Sequence, residues 1–201
     1  MKITAIKQQV KRAGRYSIFI DDKYSFSLSE SALLEQKLTV GQELTPEEVG
    51  KLKEISADDK LYNQVLGYLA VRPRSAWEIE SYLQRKHSPA PLIQNILNKL
   101  SDLSLIDDHA FARSWVESRR LLKPTSRRRL MLELRQKRIS DEIIQEVLGE
   151  DEVSDQDTLK DLVARKRKQT RYQDTTKLMQ YLARQGYNYD DIKTALTEIE
   201  G

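Results

Sequence analysis

The sequence predicts a mainly α-helical protein, built from three tandem three-helix-bundle units in an elongated array behind a small antiparallel β-rich N-terminal segment. The first observation is an internal repeat. Residues 72–100 lie in register with 123–151 at a shift of 51 positions, and those with 171–199 at a shift of 48, with no gap inside the motif. That register puts Ile79, Leu130 and Leu178 at one apolar position and Leu83, Leu134 and Leu182 four residues later, on the same helical face. A second helix per unit carries Ile93, Ile144 and Ile192, then Leu97, Leu148 and Leu196. The second observation is compositional: 39% hydrophobic and 32% charged residues suit helices with one apolar face each better than a thick sheet sandwich. The third is the alternation of Tyr24-Ser-Phe-Ser-Leu28, a β pattern confined to the start of the chain.

In order along the chain, Ile3, Ala5 and Ile6 start a first strand, and Arg15 to Ile20 and Tyr24 to Leu28 form two more, joined by the polar turn Asp21-Asp22-Lys23. Ser29 is placed to cap a short helix over 31–35, because its hydroxyl accepts from a first-turn amide with no partner inside the helix. Leu38 to Gly41 reads as a short extended piece. Thr45-Pro46-Glu47-Glu48 then combines an N-cap, proline at the first helical position and acids at the positive end of the helix dipole. Each unit also has a leading helix, over Leu61 to Val71, Asp108 to Leu122 and Thr158 to Gln169. Ser75, Ser126 and Asp174 share the N-cap position of the helix that follows, with the turn Lys123-Pro-Thr-Ser126 in the middle unit. The segments are residues 1–58 for the β-rich part, then 59–106, 107–152 and 153–201 for the three repeats. One unit buries little apolar surface alone, so neighbours must stack.

Charge is distributed unlike the apolar frame. Residues 112–138 hold ten Lys or Arg against two acids, a balance of +8 in a chain of net charge +3. The stretch 139–164 has nine acids and one Lys, 165–201 returns to +3, and residues 1–60 balance ten against ten. The acidic run Glu150 to Asp157 reads as a flexible joint between the second and third units. A basic block concentrated in a nearly balanced chain points to a polyanionic partner.

The candidate binding residues are Arg119, Arg120, Lys123, Arg127, Arg128, Arg129, Arg135, Lys137 and Arg138. Arg72, Arg74, Arg85 and Lys86 are their counterparts in the first unit, and Arg165, Lys166, Arg167 and Lys168 form a further run in the third. Three arginines in a first turn oppose the helix dipole by roughly 0.3 to 1 kcal/mol each, which argues that 127–129 are used for binding. Asp107 and Asp108 are expected to cap the helix that follows them. Trp77, Tyr82, Trp115 and Tyr181 fall beside apolar positions and are expected to pack in the core.

Enzyme templates are missing. There is no cysteine, there are two histidines, and no Gly-x-x-x-x-Gly-Lys-Ser/Thr loop occurs, so no zinc site, nucleophilic triad or P-loop finds its parts. No catalytic residue, metal or other cofactor is expected. The opening lacks the apolar core of a signal peptide, and no stretch approaches a spanning helix, which predicts a cytoplasmic protein without a membrane partner. The readings open to such a chain are a DNA-binding protein of tri-helical type and, from the enzyme class, a metal-dependent nuclease working through carboxylates.

Arg72-Pro-Arg-Ser75, Tyr82-Leu83-Gln-Arg-Lys86, Leu105-Ile-Asp-Asp108, Phe111-Ala112 and the Arg119-Arg120 helix end resemble the RecX regulatory proteins of bacteria. The resemblance covers about residues 60–200 and is most specific between Arg72 and Leu148. The family often carries glycine where this chain has His87 and Ser104, and its members do not all share an N-terminal sheet. The resemblance implies a non-enzymatic, monomeric modulator of the RecA recombinase in DNA repair and the SOS response. Such a protein binds the RecA filament on single-stranded DNA, with double-stranded DNA as a further target, and limits strand exchange, ATP hydrolysis and co-protease action.

Overall fold

Three antiparallel strands open the chain: β1 (Ile3–Gln9), β2 (Arg12–Ile20) and β3 (Lys23–Ser29), in the order β1-β2-β3. In the computed structural model the described residues are 1–123 and 125–200, without the side chains of 199 and 200. The expected turn Lys123 to Ser126 therefore includes Pro124, which lies outside them. The chain divides into two compact units, residues 1–72 with 90–92, and 73–89 with 93–201.

In the first unit, Asp21 and Asp22 both adopt positive φ, 47° and 61°, the conformation that a two-residue hairpin turn requires. Alternation along β2 and β3 sends Ile18, Phe26 and Leu28 inward, where they meet Val49 and Leu52 of helix α2 (Pro46–Val71). Ser29 caps α1 (Glu30–Glu35) as expected, accepting from the Ala32 amide at 3.2 Å. Leu38 to Gly41 departs from the expected extended piece. Gly41 at φ +93° turns the chain so that its amide reaches the Ile3 carbonyl at 2.8 Å, and only Lys2 and Glu43 form a bridge there. Thr45 and Glu48 form a reciprocal capping box, and α2 then runs unbroken for 26 residues. The helix expected from Leu61 is thus the last part of a longer one, and no break in the chain marks the boundary expected at 58/59. Arg15 is buried at the base of the sheet, held by Asp59 of α2 at 3.2 Å and by Ser27 through Nε at 3.0 Å.

The second unit carries α3 (Ala76–Arg85), α4 (Ala90–Asp102) apart from its first three residues, α5 (Asp108–Leu122), α6 (Arg127–Gln136), α7 (Asp141–Glu150), α8 (Asp155–Arg167), α9 (Thr175–Arg184) and α10 (Tyr189–Glu200). A 3₁₀ turn, Thr170–Tyr172, separates α8 from α9. The α8 helix was expected at 158–169; it starts three residues earlier because Ser154 caps it, accepting from Gln156 and Asp157. The repeat register holds in the core: Ile79, Leu83, Leu130, Leu134, Leu178 and Leu182 are all fully buried. In the first repeat Leu97 is only half-buried, and Ile96 and Leu100 take up the inward positions of α4.

The turn after the second helix of each repeat is the same in all three. His87, Arg138 and Gly186 stand in the left-handed region at φ 57°, 58° and 93°. In each case the next residue's amide reaches back five positions, Ser88 to Leu83, Ile139 to Leu134 and Tyr187 to Leu182. This closure satisfies a carbonyl that the helix leaves open. Ser104, at φ 53°, ends α4 in the same way, with the Leu105 amide on the Leu100 carbonyl. His87 and Ser104 therefore adopt the conformation for which glycine is usual.

Successive repeats are joined by two recurring hydrogen bonds. Each N-cap serine accepts from its own helix, Ser75 from Glu78 and Ser126 from Arg129, and also donates to a carbonyl in the next repeat. Ser75 Oγ reaches Lys137 O at 3.1 Å, and Ser126 Oγ reaches Gln185 O at 2.8 Å. One residue on, the Ala76 amide donates to Asp108 at 2.8 Å, and the Arg127 amide to both carboxylate oxygens of Asp155 at 2.9 and 3.0 Å. Asp107 alone caps α5, accepting from His109 and Ala110; Asp108, expected to do the same, serves the preceding repeat instead. The approach is close: a Cβ at position 186 would lie 2.5 Å from Ser126 Oγ, so Gly186 is needed for space as well as for φ.

Ser126→Ala removes an N-cap and leaves the Gln185 carbonyl without its donor, whereas Ser140→Ala removes only an exposed cap. Denaturant unfolding is expected to show a loss of about 2 to 4 kcal/mol for the first and about 1 kcal/mol for the second. Equal losses would mean that the serine hydroxyl contributes nothing across the junction.

Candidate functional site

The basic stretch lies on the end of α5, on α6 and on the turn after it, but its cations do different things. Arg120 is buried. It donates to Asp151 from Nε at 3.0 Å and Nη2 at 2.7 Å, to the Thr125 carbonyl from Nη1 at 2.6 Å, and to Asp155 at 3.4 Å. It acts as a structural clamp, its guanidinium already engaged by two carboxylates, unlike the exposed cations around it. The acidic run 150–157 changes meaning with it. Asp151 and Asp155 hold Arg120 and the start of α6, so the expected flexible joint is pinned at both residues.

Arg119, Arg129 and Trp115 converge on Glu133. Arg119 Nε lies 2.7 Å from Oε2, Trp115 Nε1 3.0 Å from the same oxygen, and Arg129 Nε 3.3 Å from Oε1. Burial pushes the Glu133 carboxyl upward, but the hydrogen bonds from Arg119 and Trp115 and the Arg119 charge outweigh it, and the pKa lies below the ordinary value. Trp115 packs on Phe111, as expected of a core residue, yet its ring also carries Arg119 at 4.6 Å and Lys137 at 5.2 Å. Lys137 is further tied to Glu78 at 2.7 Å, across the junction between first and second repeats. Arg135 reaches Asp141 at 2.7 Å through solvent-exposed atoms, where such a pair contributes little and leaves the arginine open to competition.

Arg127, Arg128, Arg138 and Lys123 are exposed, and their side chains make no ion pair among the described residues. Helical spacing puts Arg128, Leu132 and Arg135 on the side of α6 opposite the buried Leu130 and Leu134. Leu132 is 46% exposed. In the sequence only its position, four residues after Arg128 and three before Arg135, marks it as an apolar residue among cations. It gives this face something to pack with as well as charge.

The remaining predicted residues lie elsewhere. Arg85 and Lys86 are exposed at the end of α3, with Lys86 5.5 Å from the Tyr82 ring, while Arg72 and Arg74 are half-buried before that helix. In the third repeat Arg165 and Lys168 are exposed. Lys166 lies 4.8 Å from the Tyr181 ring, and Arg167 is used internally, donating to the Gln173 carbonyl at 2.7 Å and Thr175 Oγ1 at 3.0 Å. Among the described residues no three His, Cys, Asp or Glu side chains converge as a metal site, and no helix is long and apolar enough to cross a membrane.

Four segments match family models: residues 1–45 the regulatory protein RecX N-terminal domain, and 62–100, 107–148 and 154–196 the first, second and third three-helix domains of RecX. The chain is 34% identical to the regulatory protein RecX of Listeria monocytogenes, over 98% of this chain and 76% of that one. To the RecX of Bacillus subtilis it is 30% identical, over 98% and 77%. To that of Lactobacillus johnsonii it is 36% identical over 74% of this chain, which spans 54% of that relative's length. A crystal structure of regulatory protein RecX superimposes with a TM-score of 0.75 at 30% identity, covering 96% of this chain and 98% of that one.

Two variants separate frame from surface. Arg120→Ala leaves the buried Asp151 without its partner and is expected to cost about 3 to 5 kcal/mol in denaturant unfolding, whereas Arg128→Glu changes stability by less than about 0.5 kcal/mol. Glu133→Gln carries a pH signature. A carboxyl with a depressed folded-state pKa stabilises above its unfolded value and loses that contribution as pH falls through the folded value. The destabilisation by Glu133→Gln is therefore expected to be full above pH 4.5 and to shrink in more acidic solution; a pH-independent difference would show that Arg119 and Trp115 do not favour the charged form.

Proposed function

Because the chain belongs to the RecX family of regulatory proteins, we propose that it modulates the RecA filament on single-stranded DNA, using the exposed cations of the middle repeat as its principal contact. The observation that supports this reading is the division of labour within residues 112–138. Arg119 and Arg120 are engaged by carboxylates of the fold, while Arg127, Arg128 and Arg138 stay exposed and without ion pairs among the described residues. Cations held at a helix start against its dipole are stabilised by a polyanion brought to them. Leu132 at the centre of the face adds apolar contact, which naked phosphate cannot use and a protein-coated strand can.

In this role the protein is non-enzymatic and works in the cytoplasm. Repeated three-helix units offer several weak contacts to a partner that is itself repetitive, so that affinity grows by multivalency more than by any single tight site. Arg85 and Lys86 in the first repeat and Arg165 and Lys168 in the third are the secondary contacts.

The test is the ATPase of RecA on single-stranded DNA titrated with this protein. Inhibition is expected to weaken by at least tenfold for Arg127→Glu/Arg128→Glu, with an unchanged melting midpoint. If the doubly reversed protein inhibits as well as the parent, this face of α6 is not the contact. If the parent binds naked DNA tightly and leaves the RecA ATPase untouched, the protein is a DNA-binding protein in its own right.

A further inference from the structure

The N-terminal unit carries a second basic surface that its neutral overall charge hides. Between the sheet and α2 lies an open cleft of about 450 Å³, continuous in its lining with a neighbouring one of about 330 Å³. Arg12, Arg15 and Lys60 border both, Lys53 borders the larger, and no Asp or Glu lines either. The helix achieves this by segregating its charges. Lys53, Ser56, Ala57, Lys60 and Asn63 line the clefts and are related by spacings of three, four and seven, so they form one stripe of α2. Glu54 and Asp58 fall off that stripe, and Asp59 is consumed by Arg15, Ser29 and Asn63.

The groove is cationic where it is open and neutral where it is closed. The buried Arg15 is balanced by Asp59, whereas Arg12, Lys53 and Lys60 are exposed and form no ion pair among the described residues. Small side chains, Ser25, Ser27, Ser56 and Ala57, leave room between the cations. At the rim stands Tyr24, 59% exposed, its ring held edge-on by Phe19 at 6.1 Å. Lys53 and Lys60 are seven residues apart, about 10 Å along the helix, which at roughly 3.4 Å per charge of a stacked strand is about three phosphates.

The geometry points to a single-stranded nucleic-acid site in this groove, with Arg12, Lys53 and Lys60 on the phosphates and Tyr24 as a base-stacking platform. A row of cations tracking a backbone beside an exposed aromatic ring is the arrangement by which strands are bound without sequence preference. An acidic peptide would use the cations but not the ring. The site needs no residue of α6 and stands apart from the filament reading.

The test uses the full-length ¹⁵N-labelled protein titrated with oligothymidylate of four residues, and in parallel with tetraglutamate. The oligonucleotide is expected to shift amides of 24–27 and 53–63, with Tyr24→Ala weakening this binding several-fold. Lys53→Glu/Lys60→Glu, and the milder Lys53→Gln/Lys60→Gln, are expected to abolish those shifts while leaving any on α6 in place. For a longer oligothymidylate, the log–log salt slope of affinity should fall by about 1.4 in the Gln variant, two contacts at roughly 0.7 each. Shifts that avoid the groove, or that tetraglutamate reproduces at the same concentration, would overturn the assignment. Loss of RecA inhibition without loss of these shifts would bear on α6 alone.

Discussion

The hydroxyl of an N-cap serine is the smallest group that both accepts and donates a hydrogen bond, and the joining of repeats depends on that double capacity. Ser75 and Ser126 are fully buried, so both bonds are made away from water, where an unmade one costs most. The donor half fixes the distance between repeats, because the hydroxyl must reach a C-cap carbonyl while its lone pair stays on its own helix. The left-handed turn at Arg138 and Gly186 then brings that carbonyl within reach, and the first-turn aspartates 108 and 155 take up the neighbouring amide. Apolar burial supplies most of the stability of such a unit, but it is non-directional; these bonds give the junction its register.

Burial of charge shapes what is left for the surface. Asp108 shows the cost. Burial pushes its carboxyl upward, the Ala76 amide pulls it down and the Asp107 charge raises it again, so the net effect is upward. Asp151 and Asp155 share the Arg120 guanidinium as their partner. The +8 of residues 112–138 is therefore an overstatement of the charge that a partner meets, since Arg119, Arg120 and Lys137 are committed to Glu133, Asp151 and Glu78. What remains exposed and unpaired among the described residues, at Lys123, Arg127, Arg128 and Arg138, is smaller in number and more pointed in position.

The helices and their apolar faces were legible because 3.6-residue periodicity repeated three times leaves little freedom, and of the shared apolar positions only Leu97 is not buried, Ile96 and Leu100 taking its place. Caps were legible for the same local reason: Thr45 with Glu48, Ser75 with Glu78. Contacts made by partners distant in sequence were not. Nothing near Arg120 announces Asp151, 31 residues on, and nothing near Ser126 announces Gln185, 59 residues on. The N-terminal basic groove escaped for another reason. Summing ten cations and ten anions over 60 residues erased a separation that exists only once α2 places them on different sides.

The third repeat differs from the first two at one atom that matters. Asp174 stands where Ser75 and Ser126 stand, is exposed, and accepts from the Lys177 amide as a cap should. A carboxylate has no proton to give, so it can finish a helix but cannot reach out to another carbonyl. The hydroxyl-to-carbonyl bond that couples the first repeat to the second and the second to the third therefore has no counterpart at the start of α9, and a single oxygen-for-hydroxyl exchange decides which helix starts can hold a neighbour.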